Sequence, residues 1–243
     1  MNLCSEYGVA FRDRLDSGEI ETEFALAVSW RWMIPTSARL IVLHDSLLPR
    51  YRGFSPLVTA LIKGDETIGV TALFASGEYD KGAIILQKST TIAYPIKIQL
   101  AIEICSQLSV KAVSEISHTI FSGGHLPTQE QDEKRASYSL WRDEADYQIN
   151  WFGSADQIRR FIDSVGYPYL GASTTLNGKS VRVFDATTEP DVRTEDRTPG
   201  KVLFVRDGLP IVVCGSGLLK LTDLRSLDDR SLLPLNRFRS RFS

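Results

Sequence analysis

The stretch "RLIVLHDSLLPRYRGFSPLVTALIKGD" (Arg39–Asp65) holds a strand, a turn and a helix in immediate succession. Arg39–His44 is apolar without polar alternation, the pattern of a strand covered on both faces. It stops at His44, and a turn with Pro49 and Gly53 follows. Phe54–Asp65 then carries apolar residues at helical spacing and ends at a glycine. Upstream, "FALAVSW" (Phe24–Trp30) reads as another buried strand, with Pro35 breaking the chain before Arg39. Downstream come the strand "TIGVTALFA" (Thr67–Ala75), the loop "SGEYDKG" (Ser76–Gly82), the strand "AIILQKSTTIA" (Ala83–Ala93) and a long amphipathic helix from Ile96 to the stop at Gly123 and Gly124. This alternation predicts an α/β domain with a mostly parallel sheet.

Polarity rises over Pro127–Ser139, which is expected to be a linker dividing 1–126 from 140–243. Beyond it, "SADQIRRFIDSVG" reads as one helix. The short runs "GASTTLN", "KSVRVFDAT", "GKVLFVRDG", "PIVVCGSG" and "LLKLTDL" follow, separated by turns such as "NGK" and "DGL". That is the pattern of a small β-barrel or β-rich domain. The charged stretch Thr187–Gly200 is expected to be a solvated loop. The arginine-bearing tail from Leu233 is expected to fray.

The 243 residues suffice for one large or two small domains with a real core. A net charge of −2 argues against a dominant surface for nucleic acid or anionic membrane. No apolar run reaches the roughly 18–20 residues that span a bilayer. The N-terminus lacks a basic start followed by an apolar stretch, so the cytoplasm is the expected location. Cys4, Cys105 and Cys214 show neither a disulfide framework nor a metal pattern and read as small core residues. There is no dinucleotide fingerprint, Walker loop or clustered metal-ligand set.

In an open α/β sheet the useful site lies beyond the carboxyl ends of the strands. His44 ends one strand, and Asp80 lies in the loop after the next, so the two could converge. A carboxylate can fix the tautomer of an imidazole, and the pair would then form an acid–base dyad; a lone structural histidine is the other reading. Arg50 and Arg52 could bind a phosphate or carboxylate, or form a solvated rim. Gly53 could let the following helix face a ligand. "SWRWMIP" (Ser29–Pro35) could wall a flat heteroaromatic ligand with its tryptophans, or pack the core.

"HDSLLPRYRGFSP" followed by "GVTALFASGEYDKGAIILQ" resembles the catalytic domain of the folate-dependent formyltransferases, which include methionyl-tRNA formyltransferase and the N-formyltransferases of nucleotide-linked amino sugars. The family pattern is Asn-x-His-x-Ser-Leu-Leu-Pro with a later Leu/Tyr-Asp-x-Gly loop. The resemblance implies a Rossmann-like sheet followed by an OB-like, barrel-like C-terminal domain. It implies 10-formyltetrahydrofolate as formyl donor, without a metal, and His44 and Asp80 as the catalytic pair. Trp30, Arg31, Trp32, Met33, Ile34 and Tyr79 are implied on the folate side, and Arg50, Arg52 and Gly53 on the acceptor side. An acceptor amine would attack the formyl carbon. The resulting oxyanion would be held by hydrogen bonds, and the dyad would move the proton.

Two departures stand out. The Asn position is Val42, which cannot donate a hydrogen bond. Family members also carry roughly another strand–helix–strand–helix portion ahead of "FALAVSW", so a partial catalytic domain is expected. A nucleotide-linked amino sugar is the expected acceptor, because Ser139–Ser243 carries 15 Lys+Arg against 14 Asp+Glu, weak footing for tRNA. Methionyl-tRNA and a non-catalytic family remnant are the alternatives. No membrane partner is expected, and a homodimer is compatible with the sequence.

Overall fold

A computed structural model describes residues 3–11, 20–30, 32–235 and 237–243. After a helical turn, Leu3–Glu6 (α1), the N-terminal half builds a four-stranded sheet from β1 (Phe24–Val28), β2 (Arg39–His44), β4 (Thr67–Phe74) and β5 (Ile84–Thr91), in the order β1-β2-β4-β5. A two-residue strand, β3 (Arg52–Gly53), lies apart and pairs in parallel with β6 (Tyr138–Ser139). Helix α2 (Pro56–Lys63) begins with a proline, whose missing N–H costs nothing there. It ends on Gly64 at φ 82°, whose amide closes back on the Ala60 and Leu61 carbonyls. Helix α3 (Ile98–Phe121) buries Ile98, Ala101, Cys105, Leu108, Ala112 and Ile116, one stripe at three- and four-residue spacing.

The α/β, Rossmann-like architecture is as expected, but the direction of its strands is not. β1 and β2 are parallel, whereas β2–β4 and β4–β5 are antiparallel, so the sheet is mixed rather than mostly parallel. An unbroken apolar run reports that both faces are covered and says nothing of direction. β4 is buried from Ile68 to Leu73. One face meets helices α2 and α3, and the other meets the turn after β2, where the Thr71 hydroxyl donates to the Ser46 carbonyl at 2.6 Å and accepts from the Leu48 amide at 3.1 Å.

The C-terminal half is an antiparallel sheet of β7 (Ala172–Leu176), β8 (Lys179–Glu189), β9 (Val202–Arg206), β10 (Leu209–Val213) and β11 (Leu218–Ser226), ordered β7-β8-β11-β10-β9. The Asn177-Gly178 and Asp207-Gly208 turns hold both residues at positive φ, the geometry that suits a two-residue hairpin. Helix α4 (Ala155–Val165) starts in a capping box of Ser154 and Gln157. It packs on both α2 and β8, so Leu57 and Leu61 share one continuous core with Ile158, Ile162, Val183 and Leu221. Among the described residues no helix is long and apolar enough to cross a membrane.

Two segments expected to be loose are ordered. The polar run 127–139 packs along the N-terminal half through β6 and through reciprocal hydrogen bonds between Ile84 and Gln129, each 2.8 Å. The tail does not fray. Its backbone bridges Leu176 to Phe242 and Lys201 to Arg241, joining the two sheet edges β7 and β9, which makes the sheet barrel-like. Phe242 is 1% exposed and sits 5.5 Å from the Trp151 ring. Phe242→Ala is expected to lower unfolding free energy by about 3–5 kcal/mol, the usual cost of truncating a buried aromatic, read by urea denaturation. An unchanged midpoint would show that the tail is not part of the core.

Candidate active site

Residues two apart in a strand share a face, so Val42 and His44 point to the side of β2 away from α3. His44 lies opposite Thr71, and Thr71 opposite Gln87. Gln87 donates its side-chain amide to the Leu48 carbonyl at 2.9 Å and to the Thr71 hydroxyl at 2.8 Å. These bonds pin the turn after His44 to the sheet.

His44 is 8% exposed. Its Nε2 lies 2.8 Å from the Tyr51 carbonyl oxygen. A carbonyl only accepts, so Nε2 carries the hydrogen and donates it. Nδ1 is then the ring atom without a hydrogen, and it faces Asp80 Oδ1 at 3.4 Å, longer than a short hydrogen bond. The other Asp80 oxygen accepts from the Gly53 amide at 2.8 Å. One short segment thus touches both partners: Tyr51 through its carbonyl and Gly53 through its amide.

That geometry requires unusual backbone. Tyr51, Gly53, Ser55 and Asp80 all have positive φ, costly for residues with a Cβ and concentrated here at the site. Gly53 could not be another residue, because a Cβ would lie 2.7 Å from the Ser139 carbonyl. At Gly82, behind the Asp80 loop, a Cβ would lie 1.7 Å from the Phe74 carbonyl. Both glycines serve close backbone approach, and the Gly53 amide holds Asp80.

The other expected site residues divide. Tyr79 is exposed beside Asp80, with its ring 6.1 Å from Phe54. Trp30, Trp32 and Met33 are exposed on the loop after β1, with the two indoles edge to face at 5.2 Å, and Ile34 is half-buried. Arg31 lies outside the described residues. Arg50 lies over the Tyr51 ring, with its guanidinium held by Asp65 at 3.1 Å and by the Tyr51 hydroxyl at 2.8 Å.

Arg52 lies inside the protein. Its side chain is sealed from solvent beneath a thin cover of side chains. It donates to Gln131 Oε1 from both Nε and Nη2, at 3.0 and 2.8 Å, and to both oxygens of Glu133, at 3.0 and 2.7 Å. The Glu133 hydrogen bonds push the guanidinium pKa up, and the same contact holds the Glu133 carboxyl below its usual range. A guanidinium so engaged is committed to Gln131 and Glu133. Tyr51, Gln131 and Glu133 were not legible as site residues, because the acidic run around 131–133 carries the composition of a solvated linker.

On the opposite face of the sheet a cavity of about 540 Å³ lies between β1, β2 and α3, lined by Val28, Leu43, Asp45, Cys105, Ser109 and Val113. Asp45 opens into it. The surrounding protein pushes the Asp45 carboxyl up from its usual range, against the pull of His44. His44 alternates to the other face, so the dyad does not open here. Burial pushes the Cys105 and Cys214 thiols up to about 12, leaving both as unreactive core residues. Among the described residues no group of three or more His, Cys, Asp or Glu is placed to hold a metal ion.

Residues 13–99 match the family described as "Formyl transferase", and residues 142–239 match "Formyl transferase, C-terminal domain". The chain is similar to the methionyl-tRNA formyltransferase of Geobacter metallireducens, 29% identical over 90% of this chain and 70% of that protein. It spans 60–70% of the length of four such curated relatives. In fold it resembles HypX from Aquifex aeolicus in complex with tetrahydrofolic acid (TM-score 0.65, 22% identical, 84% of this chain and 36% of that one). It also resembles WlaRD, a sugar 3N-formyl transferase crystallised in the presence of dTDP and 5-N-formyl-THF (TM-score 0.63, 15% identical, 90% of this chain and 78% of that one).

Proposed function

The chain belongs to the formyl transferase family, and on that premise we propose that it moves a formyl group from 10-formyltetrahydrofolate to a primary amine, first of all the amine of a nucleotide-linked amino sugar. The observation that carries the transfer is the His44–Asp80 pair, in contact at 3.4 Å with His44 Nε2 already bonded to Tyr51. Attack of a neutral amine on the formyl carbon leaves the nitrogen with a proton to lose. Nδ1 is the atom able to accept it, and the Asp80 carboxylate stabilises the imidazolium that forms. Returning that proton to the departing folate nitrogen restores the pair. Val42 offers no hydrogen bond to the oxygen of the reacting carbonyl, so stabilisation there falls to His44 and to backbone N–H groups.

A folate fits what the chain presents. The exposed rings of Trp30, Trp32, Tyr79 and Phe54 offer flat apolar surface on the loop after β1 and beside Asp80, suited to a pterin.

A small acceptor is favoured by the charge arrangement of the C-terminal half. Arg182, Arg197, Arg206, Lys220 and Arg225 each sit in an ion pair with a neighbouring carboxylate. Binding a polyanion requires cations available to phosphates, and its affinity falls steeply with salt. Methionyl-tRNA is the second reading, favoured by the names of the sequence relatives.

The test supplies 10-formyltetrahydrofolate with a panel of dTDP- and UDP-linked amino sugars, and separately with methionine-charged initiator tRNA, and measures tetrahydrofolate release. Release with a sugar is the expected result. Release with tRNA alone would overturn the acceptor, and none with either in a folded sample would overturn the activity.

A further inference from the structure

The residues that hold the dyad are themselves held by the segment leading into the C-terminal half. Gln131 uses both ends of its side-chain amide. Its Nε2 donates to the Asp80 carbonyl at 2.7 Å and to the Gly82 carbonyl at 2.8 Å, fixing the loop that carries Asp80. Its Oε1 accepts from Arg52, the residue between the Tyr51 carbonyl and the Gly53 amide. Glu133 grips the remaining guanidinium edge at 2.7 Å. The backbone adds to this. The Arg52 amide donates to the Ser137 carbonyl at 2.9 Å, Phe54 donates to Ser139 at 3.1 Å, and the Tyr51 amide donates to the Ser137 hydroxyl at 3.0 Å.

We propose that Gln131 is a positioning residue for the transfer reaction, and that the strap of residues 129–139 sets the distance and angle between His44 and Asp80. The inference rests on the formyl-transfer reading for its kinetic consequence only. The physical basis is direct. His44 is oriented by Tyr51, Asp80 by Gly53, and the two orienting groups flank Arg52, whose guanidinium is immobilised by Gln131 and Glu133. Gln131 also grips the opposite bank, the carbonyls of Asp80 and Gly82, so one side chain bridges both halves of the dyad's support. A small misplacement of reacting groups by a change away from the chemistry can lower a rate about 100-fold.

Two substitutions separate positioning from packing. Gln131→Met preserves volume and removes both polar functions. Gln131→Glu preserves the acceptor for Arg52 but aims a carboxylate oxygen at the Asp80 and Gly82 carbonyls, which it repels. Both variants are expected to lower kcat about 10–100-fold, with KM for the folate close to wild type. A second readout needs no turnover. The chain has three histidines, and His44 is the buried one, His118 and His125 being exposed. Its Nε2–H signal, held by the Tyr51 carbonyl, should be sharp in the ¹⁵N-labelled wild type and broadened or lost in both variants. Wild-type kcat with an intact His44 signal in either variant would overturn the proposal. If the wild type transfers no formyl group, the activity reading fails, and the His44 signal still decides the positioning role.

Discussion

Asp80→Asn is expected to lower kcat about 10²–10⁴-fold, the range that a lost acid–base partner costs, while folate affinity stays near wild type. The side-chain oxygen of the introduced amide can still accept from Gly53 N–H, as Asp80 Oδ2 does at 2.8 Å. The loop therefore has every reason to keep its shape. The other branch of the introduced amide is an N–H donor, and it would face His44 Nδ1. Nδ1 would then be occupied by a donated hydrogen bond and lose its place for the amine proton. His44→Gln should cost a similar factor by removing the ring. The double variant should be little worse than either single one, because groups that act as a unit are not additive. Unchanged turnover in either single variant would sink the dyad.

Val42→Asn is expected to act in the opposite direction and raise turnover. Removing one oxyanion donor costs about 10²–10³-fold where measured, so supplying one on the same face as His44 should recover a factor of about 10². Val42 sits mid-strand, paired with Ala27 and Leu73. Asn is a poorer strand residue, and the change should cost under about 1 kcal/mol of stability, visible as a small drop in denaturation midpoint. A folded Val42→Asn protein with no gain would show that the missing donor does not limit the rate.

The strap illustrates why part of the site could not be read in advance. Gln131 reaches Asp80 across 51 positions, and Arg52 reaches Glu133 across 81. Periodicity and turn chemistry act over a few residues, whereas these contacts depend on how the 129–139 strap folds back along the N-terminal half. The same holds for Phe242, whose neighbours Arg237, Arg239 and Arg241 gave the tail a solvated look. Arg52 shows the converse. A cation beside a glycine turn reads as a ligand contact in the sequence, while its carboxylate partner Glu133 lies 81 positions away.

What the chain's order of residues determined by itself is local. It set the strand ending at His44, the helix bounded by Pro56 and Gly64, the hairpins at Asn177-Gly178 and Asp207-Gly208, and the alternation that defines two domain types. These follow from the steric preferences of proline and glycine and from which faces are apolar. It also placed His44 at a strand end and Asp80 in a following loop. Only the tertiary structure decided that the sheet is mixed, that the tail joins β7 to β9, and that Tyr51 and Gly53 orient the dyad under the grip of Gln131. Burial on both faces is the same for parallel and antiparallel strands, and a polar side chain reads the same whether its partner is water or a buried arginine. The distinction arises only when distant segments pack and each buried polar group must find its partner.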